Sequence, residues 1–235
     1  MFKLRLYQSI PYSCPYIPAN TAHHYTTEPN IVLNSSIYSH LINMGFRRAG
    51  DRIHKPNCTT CQQCVSLRIP VSEFSPSRSQ RRIINKNSTL NIVAVEQPQH
   101  EQYYSLYYKY ITQRHPETES MLHVQDTFEE FFFSSWSETF SIEIRLPSNK
   151  LICVAICDRI EQGWSAVYTF FDTDYANYSL GTFSILSQID LVKNQGLDYL
   201  YLGYWIKDCD KMNYKTQFKP CEGFINEQWE SIKGN

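Results

Sequence analysis

Residues 179–206 read SLGTFSILSQIDLVKNQGLDYLYLGYWI, and this stretch decides the fold. After Gly181 the apolar residues recur at helical spacing, which predicts a helix with one buried side. They are Phe183, Leu186, Ile189 and Val192. Gly196 is placed to end the helix. The run Leu197–Ile206 is apolar at most positions and predicts a strand that is covered on both faces.

Three shorter runs with strand character precede this stretch: Ser141–Leu146, Leu151–Cys157 and Gly163–Phe171. Three successive strands, a helix that opens at a glycine turn and then a buried strand is the order of an N-acetyltransferase-like fold of the α+β class. In that order the Gly181 turn presents backbone N–H groups at a helix N-terminus, where an anion or a polarised carbonyl can bind. The C-terminal part is therefore predicted to be an acetyltransferase-like domain.

The first part of the chain is predicted to form a smaller module that carries cysteines. Glu96–Gln99 has the composition of a connector, so we place a boundary there, between residues 1–99 and 100–235. Residues 11–30 contain four prolines and predict irregular structure. The other predicted elements are two paired strands at Phe46–Ile53 and Val65–Val71, helices at Ser35–Met44, Gln80–Asn87, Glu101–Arg114, Phe128–Trp136 and Lys211–Phe218, and a last strand at Phe224–Trp229.

Composition and charge limit what the chain can do. It has 235 residues, a net charge of −1 and 14% aromatic residues. A near-neutral chain lacks a global field that attracts nucleic acid, so any such contact has to come from a local patch, and DNA is not an expected partner. The first residues lack the apolar core of a signal peptide, and no run reaches the roughly 18 apolar residues of a membrane span. We therefore expect a cytoplasmic protein with no membrane partner.

Three cysteines stand at CxxCxxC spacing: Cys58, Cys61 and Cys64. In a cytoplasmic chain, cysteines are more often free thiols or metal ligands than disulfides. A structural metal site takes four ligands, and Cys14 is the natural fourth, with His54 as a rival. Zinc and an iron–sulfur cluster both suit four thiolates. The alternative is that these small side chains pack without a metal.

Residues 77–82, S-R-S-Q-R-R, form the first of two cationic segments. The guanidinium groups of Arg78 and Arg81 suit a carboxylate or a phosphate, and Gln80 can hydrogen-bond a ligand. The alternative is a solvated helix start. The segment therefore predicts either an anion-binding loop or an ordinary exposed surface.

The second cationic segment follows the buried strand. Lys211, Lys215 and Lys219 recur at a spacing that places them on one helical face, beside Tyr214. Lysines can contact a phosphate backbone while a tyrosine stacks on a base. The alternative is a solvated face. Gly203, in the middle of the preceding strand, indicates close approach by another backbone or by a ligand.

Together these motifs resemble one family. They are Cys14-Pro15-Tyr16, the CxxCxxC from Cys58, Arg68-Ile69, S-R-S-Q-R-R, Ser179-Leu180-Gly181, Y-L-G-Y-W-I at 201–206, C-x-K-M-x-Y-K at 209–215 and F-x-P at 218–220. This set resembles the aminoacyl-tRNA–protein transferases of the arginyltransferase family. It is most similar to their shorter bacterial branch, the aspartate/glutamate leucyltransferases. The resemblance extends from Cys14 to Trp229.

The resemblance implies an enzyme that moves leucine from Leu-tRNA to the N-terminal Asp or Glu of another protein, which marks that protein for degradation by the N-end rule. The expected partners are aminoacyl-tRNA and proteins with such N-termini, and the chemistry requires no cofactor. The expected site residues are Arg78, Gln80 and Arg81 for the acidic side chain of the acceptor, Lys211, Tyr214 and Lys215 for the tRNA, and Gly181 and Tyr204 facing the ester.

Three alternatives remain open at this point. The donor can be Arg-tRNA in place of Leu-tRNA. An acetyl-CoA-dependent N-acetyltransferase has the same fold, but it usually carries a Q/R-x-x-G-x-G/A loop, and here a single Gly181 precedes the helix. A non-enzymatic RNA-binding module held together by a metal would not account for the buried strand and the lysine segment.

Overall fold

An eight-stranded sheet runs through the molecule. The computed structural model describes residues 4–28, 31, 33–96, 100–114 and 125–232, so residues 97–99 of the predicted connector lie outside the described residues. The strands are β1 (Leu6–Gln8), β2 (Tyr12–Ser13), β3 (Thr21–Ala22), β4 (His24–Thr27), β5 (Arg47–Ala49), β6 (Arg52–Pro56), β7 (Val65–Pro70), β8 (Asn91–Val95), β9 (Thr139–Arg145), β10 (Leu151–Ile160), β11 (Gly163–Phe171), β12 (Tyr199–Trp205), β13 (Glu222–Ile225) and β14 (Gln228–Ser231).

The helices cover both faces of this sheet. They are α1 (Ser35–Asn43), α2 (Arg78–Lys86), α3 (His100–Arg114), α4 (Gln125–Phe132), α5 (Leu180–Asn194) and α6 (Asp210–Asn213), with 3-10 helices at Thr173–Tyr178 and Tyr214–Gln217. Helix α5 packs on one face, where its apolar residues join those of β7, β10 and β12. Helices α3 and α4 pack on the other face, against β10 and β11. No described helix is long and apolar enough to cross a membrane.

The strand order of the large sheet is β14-β13-β7-β12-β11-β10-β9-β8. Neighbours are antiparallel except β11 and β12, which are parallel. A second sheet of four strands, in the order β1-β4-β6-β5, comes from the first part of the chain. The predicted α+β class is confirmed, and the structure adds that most of its strands form one large sheet.

Residues 179–206 fold as predicted. Helix α5 begins after Ser179, whose φ of 52° is left-handed, and the chain leaves the helix at Gly196 with φ 71°. The apolar stripe of α5 is buried, and β12 is covered on both faces because helices pack on each side. Strand β11 has the predicted bounds.

The prediction for the N-terminal part is wrong in two respects. Residues 11–30 are not wholly irregular, since β2, β3 and β4 lie there. The strands on either side of the cysteines do not pair with each other. Strands β5 and β6 form a hairpin that turns at Gly50, with φ 58°, and belong to the four-stranded sheet. Strand β7 instead lies between β12 and β13 in the large sheet.

The C-terminal elements also differ from the prediction. The helix expected over Lys211–Phe218 is α6 followed by a 3-10 helix, so the three lysines do not share one α-helical face, because a 3-10 turn takes three residues. The single strand expected at Phe224–Trp229 is the hairpin β13–β14, which turns at Asn226 and Glu227, both with positive φ. Helix α4 begins at Gln125, earlier than the predicted Phe128, and ends at Phe132, earlier than the predicted Trp136.

The boundary placed near residue 99 stays a prediction. Strands β7 and β8 precede it, and both hydrogen-bond to strands that follow it. The large sheet is therefore assembled from both parts of the chain. This joining brings residues from the cysteine-bearing part close to β12.

Candidate active site

Strands β11 and β12 separate from each other after a short paired segment. Their parallel ladder joins Gly163–Ser165 to Tyr199–Tyr201 and ends there, although β11 continues to Phe171 and β12 to Trp205. On its other edge, β12 shifts register against β7 between Tyr201 and Gly203. Beyond this ladder, residues 166–171 and residues 202–205 are not paired with each other, and the region between them is here called the β11–β12 gap. Ligand sites of open sheets with parallel strands favour such places.

Two cations meet at the end of the β11–β12 gap where the ladder stops, at Ser165 and Tyr201, which is here called the closed end. The Nη1 of Arg47 donates to Ser165 Oγ at 3.2 Å, and Ser165 is the last residue of β11 in the ladder. Lys215 Nζ donates to the backbone oxygen of Tyr204 at 2.6 Å. A Cβ on Gly203 would lie 3.2 Å from Arg47 Nη2 and 3.6 Å from Lys215 Nζ. Both side chains therefore converge on the position that Gly203 leaves free, and its φ of 80° favours glycine there.

Burial controls the charge state of this pair. Arg47 and Lys215 are 6% and 7% exposed. Burial, and then the nearby Arg47, lower the pKa of Lys215 to about 7. Burial also lowers the pKa of Arg47, although a guanidinium stays charged at any physiological pH. Lys215 is therefore poised to gain or lose a proton near neutrality, and an anion beside it would favour the charged form.

Arg48, the neighbour of Arg47 in β5, has a complete set of partners. Its Nε and Nη2 bond the two oxygens of Asp158 at 2.6 and 2.7 Å. The same carboxylate accepts the hydroxyls of Tyr38 and Thr139, each at 2.7 Å. Both side chains of the Arg48–Asp158 pair are 0% exposed. Asp158 is thus fully engaged, and Arg47 forms no ion pair with it.

Tyrosines form one wall of the β11–β12 gap. Tyr168 of β11 contacts the ring of Tyr107 of α3, with centroids 6.1 Å apart. Burial, and then Tyr110, raise the pKa of both Tyr168 and Tyr214. Tyr214 is 39% exposed. Aromatic faces at an accessible edge suit the unpaired bases of a tRNA acceptor end.

The residues predicted to bind the acceptor lie at the start of α2. Arg78 and Arg81 are exposed, and Arg81 Nη1 donates to the backbone oxygen of Pro76 at 2.6 Å. Gln80 is buried, and its amide is already bonded at both ends. Its Oε1 accepts from the N–H of Ser77, and its Nε2 donates to the oxygen of Gln217 at 3.1 Å. Gln80 caps α2 and ties it to the C-terminal segment.

The other predicted site residues are dispersed. Lys215 lies at the closed end of the gap and Tyr214 in its wall, while Lys211 is exposed on α6. Tyr204 is buried, and its hydroxyl donates to the backbone oxygen of His54 at 3.0 Å. Gly181 lies in the first turn of α5, where an added Cβ would meet the ring of Phe171 at 3.4 Å. Sequence reasoning missed Arg47 and Ser165.

Replacing Gly181 by Ala tests its predicted role. The added methyl meets ordinary van der Waals contact, and alanine is better than glycine within a helix by about 0.5–1 kcal/mol. We expect the free energy of unfolding to rise by that amount in urea titrations. Alanine keeps the backbone N–H, so kcat for the reaction that the resemblance implies should stay at the wild-type value. A fall in kcat without loss of stability would show that the reacting group needs the space beside Gly181.

The predicted cysteine ligands are neighbours. Burial, and then the thiols of Cys14, Cys58, Cys61 and Cys209, raise the pKa of Cys64 to about 12. Within the residues that the structure describes, however, no group of three or more His, Cys, Asp or Glu side chains is arranged to hold a metal ion. Two thiols are engaged with the backbone instead. Cys14 Sγ accepts from the N–H of Ile17 at 3.4 Å, and Cys58 Sγ contacts both the N–H and the oxygen of His23. In this arrangement the residues do not fit a bound metal.

Comparison with known families defines the class of protein. Residues 12–82 match the family model described as "Arginine-tRNA-protein transferase, N terminus", and residues 102–225 match the model for its C terminus. The chain therefore belongs to the arginine-tRNA-protein transferase family, which confirms the resemblance found in the sequence.

Two relatives that share one name are similar to the chain along nearly its whole length. The chain is 41% identical over 227 residues to a protein of Saccharophagus degradans named aspartate/glutamate leucyltransferase, covering 97% of this chain and 96% of the relative. It is also 41% identical over 230 residues to a protein of the same name from Pseudomonas entomophila, covering 98% and 97%.

Solved structures share the fold at low sequence identity. The C-terminal domain of a putative lysylphosphatidylglycerol synthetase from Agrobacterium fabrum aligns with a TM-score of 0.51 and 13% identity, over 83% of this chain and 62% of that one. L-PGS from Bacillus licheniformis aligns with a TM-score of 0.50 and 9% identity, over 62% of this chain and 46% of that one. The chain thus matches less than two thirds of each of these structures.

Proposed function

We propose that the protein transfers leucine from Leu-tRNA to the α-amine of proteins that begin with Asp or Glu. The observation that carries this proposal is the 41% identity, over nearly the full length of both chains, to proteins named aspartate/glutamate leucyltransferase. The new N-terminal leucine would mark the acceptor for degradation. We place this activity in the cytoplasm.

The chemistry suits the β11–β12 gap. The nucleophile is the acceptor's α-amine, whose ordinary pKa is about 7.7–8.0, so a useful fraction is neutral at physiological pH. It attacks the ester carbonyl of the aminoacyl-tRNA, and the ribose oxygen leaves. This step requires no covalent intermediate on the enzyme and no metal or organic cofactor. Alignment of two bound substrates alone can lower the barrier by roughly 7–11 kcal/mol.

The geometry supports different roles for the open side and the closed end of the gap. The tyrosine wall, which includes Tyr214, offers stacking faces for the tRNA acceptor end at the open side. The closed end offers positive charge. Separation of two parallel strands after a short ladder, with a helix beginning just past one of them, supports the assignment of an acetyltransferase-like catalytic domain. The predicted roles of Lys211, Tyr204 and Gly181 toward the tRNA and its ester stay predictions.

The donor is tested by incubating the protein with a peptide that begins with Glu and with one labelled donor at a time: Leu-tRNA, Arg-tRNA or acetyl-CoA. The family models are described by arginine, so Arg-tRNA is the competing donor. We expect label in the peptide from Leu-tRNA at a rate well above that from Arg-tRNA, and none from acetyl-CoA. Faster transfer from Arg-tRNA would change the donor, and transfer from acetyl-CoA alone would replace the reaction class.

A zinc or iron–sulfur centre on Cys14, Cys58, Cys61 and Cys64 stays a prediction. It would have to draw the four thiols into a tighter group than the structure shows and remove their protons. Metal analysis of the purified protein, with a Cys61→Ser variant for comparison, decides it.

A further inference from the structure

The closed end of the β11–β12 gap contains positive charge without a matching anion. Neither Arg47 nor Lys215 forms a salt bridge with a described carboxylate, and Arg47 Nη2 is buried without a hydrogen-bond partner. The carboxylate that comes near Arg47, Asp158, is saturated by Arg48, Tyr38 and Thr139. A buried charge without a partner is costly, so its retention calls for an explanation outside folding.

The histidine and the tyrosines around the pair do not supply the missing charge at neutral pH. Burial, followed by His24 and Arg47, lowers the pKa of His54 to about 4, so its imidazole is neutral. Burial raises the pKa of Tyr201 and of Tyr204, so both phenols keep their protons. Burial also raises the pKa of Tyr38, which lies near Arg47, and Cys209 of the loop before α6 lies near Lys215. The nearby carboxylate, Asp158, is already held by Arg48, so it does not compete with an arriving anion.

The shape of the site selects a small anion. Arg47 and Lys215 are more than nine-tenths buried and approach the same point, since a Cβ at Gly203 would lie 3.2 Å from Arg47 Nη2 and 3.6 Å from Lys215 Nζ. A phosphodiester continues in two directions and cannot end in such a place. A carboxylate at the tip of a side chain can end there. A guanidinium with a free Nη2 matches the planar geometry of a carboxylate. Lys215 Nζ bonds Tyr204 and lies 4.0 Å from Met212 Sδ, which leaves one of its three N–H donors for a ligand.

We propose that Arg47 and Lys215 bind the side-chain carboxylate of the acceptor's N-terminal Asp or Glu and so determine acceptor specificity. This inference rests on the proposed function, because it assigns the substrate of that reaction to a place in the β11–β12 gap. It moves the recognition of the acceptor from the exposed Arg78 and Arg81 of α2 to the buried pair. It also gives Gly203 a role, since any side chain there would occupy the space of the carboxylate.

The test compares two peptides that differ only in their first residue, Glu or Gln. Arg47→Met removes the charge and keeps the length of the side chain. We expect it to lower kcat/KM for the Glu peptide by at least about thirtyfold, because one partner of a buried charge pair is lost. The Gln peptide should change by less than about threefold, since an uncharged amide gains little from the guanidinium. Lys215→Met should reduce the preference for Glu in the same direction.

Controls separate specificity from folding. Arg52 is exposed on β6, and Arg52→Met should leave both peptides at wild-type values. Thermal unfolding shows whether Arg47→Met is folded. The inference is overturned if Arg47→Met keeps the wild-type preference for Glu over Gln, or if both peptides lose activity equally, which would assign the pair to the ester or the tRNA. Loss of the preference in an Arg78→Ala/Arg81→Ala variant, with Arg47→Met unaffected, would also overturn it.

Binding of the same peptides, measured by calorimetry without tRNA, separates the inference from the proposed function. Leucine transfer that fails in the wild type would remove the proposed reaction. Tighter binding of the Glu peptide than the Gln peptide, lost in Arg47→Met, would still support the carboxylate pocket. Equal binding of the two peptides by the wild type would overturn the pocket.

Discussion

Replacing Arg48 by Met is expected to lower the free energy of unfolding by about 3–5 kcal/mol, because it leaves the buried Asp158 without its ion-pair partner in a dry interior. The pair joins β5 to β10 and so attaches the four-stranded sheet to the large sheet. Arg48 also donates to the backbone oxygens of Gly50 and Phe132, which would lose a partner. Urea unfolding followed by circular dichroism measures the change.

The adjacent residue supplies a matched control with the opposite expectation. Arg47→Met removes a buried cation that has no ion-pair partner, so the free energy of unfolding should stay the same or increase. Two neighbouring arginines of similar burial would then differ by several kcal/mol in the effect of the same substitution. A loss below about 1 kcal/mol for Arg48→Met, the size of a surface ion pair, would contradict this view of β5.

Replacing Gly163 by Ala is expected to destabilise the protein by at least about 2 kcal/mol, because a close-packed interior cannot absorb the added methyl group. Its Cβ would lie 1.8 Å from the backbone oxygen of Tyr199. That oxygen belongs to the first residue of β12, and Gly163 and Tyr199 are the first of three pairs that hold the parallel ladder. The backbones of β11 and β12 would have to move apart, and the β11–β12 gap with them.

Gly181→Ala serves as the steric control for Gly163→Ala, since the same methyl group meets only a ring edge at 3.4 Å there. Thermal and urea unfolding of both variants give the comparison. Equal stability of Gly163→Ala and the wild type would show that the two strands tolerate a wider separation, and the gap would then not be set by their ladder.

The sequence predicts the fold well where the pattern of apolar residues is enforced by the sheet. Helix α5 and strand β12 lie where helical spacing and a continuous apolar run place them, because each is packed on its neighbours along its whole length. The N-terminal strands were harder to predict. β1 to β4 are short, and prolines at 11, 15 and 18 indicate loops. Nothing in the local sequence of β7 shows that its partners are β12 and β13, more than a hundred residues later.

The residues of the candidate site also differ in how well the sequence predicts them. Lys215, Tyr214 and Gly203 could be selected from the sequence because they lie in one motif-rich segment. Arg47 was missed because an arginine in the pair Arg47-Arg48 is indistinguishable by sequence from an exposed cation, and its isolation depends on Asp158 being taken by Arg48. Gln80 illustrates the reverse case. Its position beside two arginines indicated ligand binding, whereas its amide closes the capping box of α2. Only the three-dimensional pairing of donors and acceptors separates these cases.

The joining of the two parts of the chain explains why the cations meet. Arg47 comes from the four-stranded sheet, whereas Lys215 and Gly203 come from the segment after α5. The cysteines surround the same region, since Cys64 and Cys209 are near neighbours and Cys209 faces Lys215. The N-terminal part thus completes a site whose walls belong to the C-terminal part.

The most direct test is to measure leucine transfer by the wild-type protein from saturating Leu-tRNA to two peptides that are identical except for an N-terminal Glu or Gln. We expect rapid labelling of the Glu peptide and a kcat/KM for the Gln peptide that is lower by about thirtyfold or more, the cost of leaving a buried cation without its anion. Equal labelling of the two peptides, or no leucine in either, would contradict this expectation.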